Sequence, residues 1–106
     1  MAVSTDSWCT HRRWFEDDPM LADVRYPVLA DTSHELSRAL GVLEPDGTCR
    51  RGTFVIDPEG VVRHATVSDG SVGRSAAETL RVLRALRTGE LCPASWQRGQ
   101  PYLLAA

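Results

Sequence analysis

The stretch that decides the fold reads R-G-T-F-V-I-D-P-E-G-V-V-R-H-A-T-V at residues 51–67. Residues 52–56 are a compact β-branched and aromatic run, which is typical of a strand. Residues 57–60, Asp-Pro-Glu-Gly, are turn formers, and residues 61–67 again have strand character. The pattern predicts an antiparallel hairpin.

A long helix is predicted after this hairpin. Ser75 and Glu78 have the spacing of a capping box, and the helix runs to about Arg87 before Thr88-Gly89 ends it. The apolar positions form one stripe and the arginines occupy the other face. The stripe consists of Ala76, Leu80, Leu83 and Leu86, and the arginines are Arg81 and Arg84. Glu78 can pair with Arg74 or Arg81, at i,i+4 and i,i+3 spacing.

Shorter elements are predicted before the hairpin. Residues 2–4 have strand character, and a helix is expected from Asp6 through Trp14 with Ser4 or Thr5 as its N-cap. The acidic run at residues 16–19 breaks that helix.

A second strand and a short helix follow. Residues 26–30 read as a strand with Pro27 near its start. Thr32 and Glu35 have capping-box spacing, and Gly41 is a natural end for the helix that they open. Residues 44–47 form a turn.

The predicted order is therefore strand, helix, strand, helix, hairpin and long helix. This α/β order matches the later part of a thioredoxin-like fold, with residues 1–88 as the incomplete domain and residues 89–106 as an extended tail. A parallel sheet needs helices on both faces. Because the opening strands and first helix of that fold have no counterpart here, we expect part of the surface to stay apolar.

Composition excludes several function classes. The net charge is −2, and all 12 basic residues are arginines, so the sequence gives no nucleic-acid or basic membrane-surface footprint. No apolar run approaches the roughly 20 residues that span a bilayer, and we expect no signal peptide. Three cysteines without a CxxC or zinc spacing favour a cytoplasmic protein with reactive or structural thiols.

Six stretches resemble, in order, landmarks of the peroxiredoxins of the alkyl hydroperoxide reductase C and thiol-specific antioxidant type. The resemblance covers nearly the whole chain except its last few residues. The stretches are V-S-T-D-S with His11 and Trp14, Y-P-V-L-A-D at 26–31, L-S-R-A-L-G-V-L at 36–43, R-G-T-F-V-I-D at 51–57, S-V-G-R-S with Glu78, and L-C-P-A-S-W at 91–96.

The resemblance departs from the family at the cysteine that attacks peroxide. That cysteine lies in P-x-x-x-[ST]-x-x-C, and none of the three cysteines here fits. The residue three positions before each cysteine is Asp6, Asp46 and Gly89, respectively.

The resemblance assigns roles to three residues. Arg51 is similar to the active-site arginine, and Arg74 to a second arginine of the same network. Cys92 is similar to the resolving cysteine, which attacks a sulfenic acid to form a disulfide. Each has a simpler interpretation: a solvated strand-end charge for Arg51, a helix-end charge pairing Glu78 for Arg74, and a small packing residue under Trp96 for Cys92.

The remaining candidates favour structural interpretations. Cys9 is expected to be a small core residue on its helix, and Cys49 to be exposed and incidental. The three histidines are too scattered for a recognised metal motif, and neither a metal nor another cofactor is expected.

The resemblance implies a thiol-dependent peroxidase that reduces hydrogen peroxide or alkyl hydroperoxides. Its implied partners are a thioredoxin-like or flavoprotein disulfide reductase and a second peroxiredoxin subunit, in a homo-oligomer built from dimers. The alternative is a catalytically inactive peroxiredoxin-like module that acts through oligomer-interface contacts.

Overall fold

The computed structural model describes residues 1–104, and the chain divides into two compact units between Arg50 and Arg51. In the first unit, strand β1 (Ala2–Ser4) pairs in parallel with strand β2 (Val28–Ala30). Parallel neighbours need a crossover connection, and helix α1 (Trp8–Asp17) provides it. The second strand begins after Pro27, which lacks an N–H group but accepts a hydrogen bond from the Ala2 amide at 3.0 Å.

Helix α1 begins later than predicted. Its N-cap is Ser7, whose Oγ accepts from the Thr10 amide at 3.2 Å, so the assignment of Ser4 or Thr5 was wrong. Ser4 instead uses its Oγ to accept from the Asp6 amide and to hydrogen-bond His11. The predicted end at Trp14 was also wrong: Glu16 and Asp17 lie in the helix, where they pair with Arg12 and Arg13. The break follows at Asp18-Pro19, where a short 3-10 turn (Pro19–Leu21) begins.

The short helix α2 (Glu35–Ala39) is capped from outside the predicted capping box. The Asp31 carboxylate accepts from the Leu36 amide at 3.2 Å and from the Ser37 amide at 2.8 Å. His34 occupies the N-cap position with φ of 65° and makes no side-chain cap. The predicted role of Thr32 and Glu35 as a capping box was therefore wrong, because the Asp31 carboxylate caps this helix.

The second unit contains the predicted antiparallel hairpin. Strand β3 (Arg51–Ile56) pairs with strand β4 (Val62–Ser68), with Arg51 opposite Ser68. The turn between them is fixed by the Asp57 carboxylate, which accepts from the amides of Glu59 and Val61 at 3.0 and 2.9 Å.

Helix α3 spans Ala76–Thr88, which confirms the predicted long helix after the hairpin. Ser75 Oγ accepts from the Glu78 amide at 3.2 Å, as the first half of a capping box requires. The Glu78 carboxylate, however, binds Arg81 and not the Ser75 amide. Gly89 ends the helix with φ of 68°, a left-handed conformation that suits glycine.

The observed element order agrees with the prediction. The described part of the tail, residues 89–104, contains no helix or strand, and the last two residues of the predicted tail lie outside the described residues. The boundary between domain and tail at residue 88 stays a prediction.

Burial is sparse in both units. The buried large apolar side chains of residues 1–104 are Val42 in the first unit and Trp96 in the second. Many others are exposed, which agrees with the expected apolar surface. In the second unit they include Ile56, Val62, Val67, Leu80, Leu83 and Leu86.

Candidate functional site

Arg51 and Arg74 lie at the same end of the hairpin, where the loop after β4 returns toward β3. Arg51 Nε donates to the Gly70 carbonyl at 3.1 Å, and Arg74 Nε donates to the Gly52 carbonyl at 3.2 Å. Each arginine therefore fixes the segment that carries the other. Both side chains are exposed, and these contacts use Nε, so the terminal nitrogens of both guanidinium groups remain available as donors.

The expected alternative for Arg74, a pair with Glu78, is not observed. Glu78 is bound by Arg81 through two hydrogen bonds, while Arg74 points its Nε to a backbone carbonyl on β3. The structure therefore links Arg74 to Arg51 through the hairpin and excludes the simple helix-end pairing.

Cys92 lies over the C-terminal part of α3. Its Sγ is 3.6 Å from Thr88 Oγ1 and 4.0 Å from the Ala85 carbonyl oxygen, and the residue is half-buried. Thr88 Oγ1 also accepts from the Glu90 amide at 3.1 Å, so the helix end fixes the turn that carries the thiol. Within residues 1–104, neither hydrogen bonds nor ion pairs join Cys92 to Arg51 or Arg74.

Trp96 anchors the tail beyond Cys92. Its side chain is 2% exposed, its Nε1 donates to the Gln100 carbonyl at 3.0 Å, and its ring stacks on Tyr102 with centroids 5.8 Å apart. The Leu103 amide donates to the Leu91 carbonyl at 2.7 Å, so the tail folds back on itself around Cys92.

Arg81 also belongs to this region, although the helical spacing predicted a position on the polar face of α3. Its Nη1 donates to the Trp96 carbonyl at 3.2 Å, and its side chain is only 23% exposed. The spacing of Glu78 and Arg81 predicted their ion pair. No local pattern could reveal the contact with Trp96, which is 15 residues away.

The structure corrects the interpretation of the other two cysteines. Cys9 was predicted to be a core residue, but it is exposed on α1 because its side of the helix is not covered. Cys49 was predicted to be exposed, but it is half-buried and its Sγ donates to Ser37 Oγ at 3.3 Å.

Ser37 in turn joins Cys49 to a carboxylate. Ser37 Oγ donates to Asp31 at 2.6 Å, and Ser37 is only 3% exposed. The hydrogen bond from the Ser37 hydroxyl, followed by that from its amide, lowers the pKa of Asp31. The result is a chain of donors that starts at the Cys49 thiol and ends at an ionised carboxylate.

Two further properties of the described residues concern metal ligands and helix length. Residues 1–104 contain no group of three or more histidine, cysteine or acidic side chains that could hold a metal ion. None of the described helices is long and apolar enough to cross a membrane.

Comparison with known proteins gives consistent matches. Residues 1–65 match the AhpC/TSA family. Bacillus subtilis YkuU is 49% identical, over 97% of this chain and 59% of that protein. Alkyl hydroperoxide reductase C of Mycobacterium tuberculosis is 42% identical, over 97% of this chain and 53% of that protein. The chain thus spans between about half and three fifths of these relatives.

Solved structures agree with these matches. Mycobacterium bovis AhpC superposes with a TM-score of 0.81 at 42% identity, covering 90% of this chain and 53% of that one. The reduced 2-Cys peroxiredoxin of Plasmodium vivax gives a TM-score of 0.85 at 32% identity, covering 93% and 55%. These superpositions confirm the predicted α/β thioredoxin-like fold for the part that the chain covers.

Proposed function

Because the chain belongs to the AhpC/TSA family of peroxiredoxins, we propose that it serves a thiol-dependent peroxidase as the part that carries Arg51, Arg74 and the resolving cysteine, Cys92. The observation that carries this proposal is the position of Cys92, on an irregular tail that is held at the end of α3 by a few side-chain contacts. A thiol in that setting can be released to meet the sulfenic acid of another cysteine.

In the proposed reaction, the attacking cysteine lies outside these 106 residues. Its thiolate attacks one peroxide oxygen, the O–O bond breaks, and water or an alcohol leaves after taking a proton. The oxidised cysteine is then a sulfenic acid. The Cys92 thiolate attacks that sulfur, the S–S bond forms, the S–O bond breaks, and the hydroxide leaves as water after protonation. A dithiol reductase of the thioredoxin or flavoprotein class returns both thiols by disulfide exchange.

Arg51 and Arg74 are proposed to serve the first of these steps. Their terminal N–H donors are free of the backbone contacts at Gly70 and Gly52, and guanidinium groups stay charged at all working pH values. We assign them to binding the peroxide oxygens and the attacking thiolate. The protein is proposed to work in the cytoplasm and to assemble with a further peroxiredoxin subunit as a homo-oligomer.

A complementation assay tests this function. The chain is mixed with a 2-Cys peroxiredoxin whose own resolving cysteine is replaced by serine, and peroxide consumption is followed with thioredoxin and its reductase. We expect no turnover from the chain alone, because no cysteine has the attacking motif, and we expect partial turnover in the mixture. The variant Cys92→Ser is expected to abolish the gain, whereas Cys9→Ser retains it. A gain that persists in Cys92→Ser contradicts the assignment.

A second candidate function is that of an inactive module acting through oligomer-interface contacts. The exposed apolar side chains on β3, β4 and α3 favour it. It predicts that the chain co-elutes with the partner peroxiredoxin in size-exclusion chromatography but restores no turnover. Complementation that depends on Cys92 would exclude this alternative.

A further inference from the structure

Thr88, the last residue of α3, makes side-chain contacts in three directions. Its Oγ1 donates to the Ala85 carbonyl at 2.6 Å, accepts from the Glu90 amide at 3.1 Å, and lies 3.6 Å from Cys92 Sγ. Thr88 and Cys92 are both half-buried. One oxygen atom therefore joins the end of the helix, the start of the tail and the thiol.

The position of Thr88 in the helix explains why its hydroxyl turns back to Ala85. A threonine side chain in a helix has few χ1 rotamers, and one of them brings Oγ1 to the carbonyl three or four residues before it. The last carbonyls of a helix need partners from outside its backbone ladder. The Gly89 amide donates to the Leu86 carbonyl at 3.3 Å, so the Thr88 hydroxyl serves the Ala85 carbonyl.

This hydrogen bond fixes what Thr88 can offer the tail. A hydroxyl has one proton to donate and two lone pairs that accept. The proton goes to the Ala85 carbonyl, which is the shortest of the three contacts. Oγ1 therefore acts as an acceptor toward the tail, and its two donors are the Glu90 amide and the Cys92 thiol. All the hydrogen-bonding capacity of the hydroxyl is used.

The start of the tail has few other polar contacts with the helix. Within residues 1–104, the hydrogen bonds from residues 90–92 to α3 end on Thr88 Oγ1 and on the Ala85 carbonyl, which lies 4.0 Å from Cys92 Sγ. The next anchor of the tail is the buried Trp96, four residues beyond Cys92. The Thr88 hydroxyl is thus the closest polar restraint on the thiol.

We propose that Thr88 is the positioning residue for Cys92: its hydroxyl holds the thiol against the end of α3, and loss of its hydrogen bonds to the tail releases Cys92 toward the sulfenic acid. This inference rests on the proposed resolving role of Cys92, because that role requires the thiol to leave its contacts with the helix before it attacks. Thr88 acts through Cys92 and not on the peroxide.

The test is the alkylation rate of Cys92 in the full chain. Iodoacetamide is added at one fixed pH, and peptide mass spectrometry quantifies the reaction of each cysteine, with Cys49 in the other unit as the internal reference. Thr88→Val keeps the shape of the side chain and removes the hydroxyl. We expect Cys92 to react faster by about twofold to tenfold, which corresponds to the net loss of about one hydrogen bond, while Cys49 is unchanged.

Two control variants separate the hydroxyl from the helix. Thr88→Ser retains the hydroxyl and is expected to react at a rate close to that of the parent. Thr79→Val removes a matched hydroxyl near the start of α3, where Thr79 Oγ1 donates to the Ser75 carbonyl at 3.1 Å, and is expected to match the parent. An equal Cys92 rate in Thr88→Val and Thr79→Val overturns the proposal. A Thr88→Ser variant that reacts as fast as Thr88→Val also overturns it.

A measurement on the parent decides if circular dichroism shows that Thr88→Val is unfolded. The Glu90 amide donates to Thr88 Oγ1, whereas the Arg98 amide makes no hydrogen bond within residues 1–104. After correction for the intrinsic rates, we expect the Glu90 amide to exchange with deuterium more slowly than the Arg98 amide. Equal exchange would show that the hydroxyl does not hold the tail, and it would overturn the proposal.

These measurements are separable from the proposed function because alkylation and deuterium exchange need no partner. If Thr88→Val leaves the Cys92 rate unchanged while complementation still depends on Cys92, the proposal for Thr88 fails and the resolving role stands. If complementation fails while Thr88→Val accelerates alkylation, the resolving role fails and the restraint of Cys92 by Thr88 stands.

Discussion

Cys49 in the first unit and Cys92 in the second are both half-buried, yet their hydrogen-bond partners differ. The Cys49 thiol donates to Ser37, which donates to the ionised Asp31. The Cys92 Sγ lies 3.6 Å from Thr88 Oγ1 and 4.0 Å from the Ala85 carbonyl oxygen, at the C-terminal end of α3. The Cys49 thiol therefore lies within a chain of hydrogen bonds in its own unit, whereas the Cys92 thiol lies on an irregular tail beside the end of α3. Burial alone therefore does not identify a reactive cysteine, because two half-buried thiols are held by different kinds of contact.

The largest expected effect concerns Trp96, the buried side chain that anchors the tail of the second unit. Trp96→Ala removes a side chain that is only 2% exposed, and we expect it to lower the free energy of unfolding by about 3 to 5 kcal/mol in urea titrations. Alkylation of Cys92 is expected to accelerate while that of Cys49 stays constant. The matched control is Trp8→Ala, at 64% exposure, which should change stability by less than about 0.5 kcal/mol. Equal losses in the two variants would remove Trp96 as the anchor of the tail.

A smaller effect is expected on the side of Cys49. Ser37→Ala deletes the hydroxyl that links the thiol to Asp31, and we expect a loss of about 1 to 2 kcal/mol in the free energy of unfolding. Alkylation of Cys49 should increase because its Sγ loses the acceptor. Ser33→Ala, on an exposed position of the preceding turn, serves as the control. Unchanged Cys49 reactivity in Ser37→Ala would show that the hydrogen bond to Ser37 does not restrain this thiol.

The smallest expected effect is a pH dependence of the unfolding free energy that Ser37→Ala loses. Because the hydrogen bonds of Ser37 lower the pKa of Asp31, the stabilisation is present above the ordinary aspartate pKa of about 3.9 and is lost as pH falls through the lower folded value. The difference in unfolding free energy between the parent and Ser37→Ala should therefore shrink between about pH 5 and pH 3. Urea titrations at pH 7, 5 and 3 measure it. A difference that is constant down to pH 3 would show that the Asp31 charge contributes nothing.

Local patterns predicted the elements whose determinants are close in sequence. The hairpin follows from its strand runs and the Asp57 turn, and α3 follows from Ser75 at its start and Gly89 at its end. The cap of α2 was missed because an aspartate five and six residues before the capped amides replaced the expected capping box.

The site was predictable only in part. Cys92, Arg51 and Arg74 came from family-like motifs, and the hydrogen bonds of the two arginines place them at one end of the hairpin. Two contacts that hold the cysteine-bearing segments join residues far apart in sequence. Ser37 and Cys49 are 12 positions apart, and Arg81 and Trp96, which lies in the tail beyond Cys92, are 15 positions apart. Such contacts depend on how the chain folds back, and neither periodicity nor spacing encodes them.

The resolving role of Cys92 is tested by mapping the disulfide that forms with a sulfenic acid. The chain is mixed with a 2-Cys peroxiredoxin that lacks its resolving cysteine, peroxide is added, and the cross-linked peptides are identified by mass spectrometry. We expect the mixed disulfide to form through Cys92, with Cys49 remaining a free thiol. Cross-links through Cys49 or Cys9, with Cys92 left free, would contradict it.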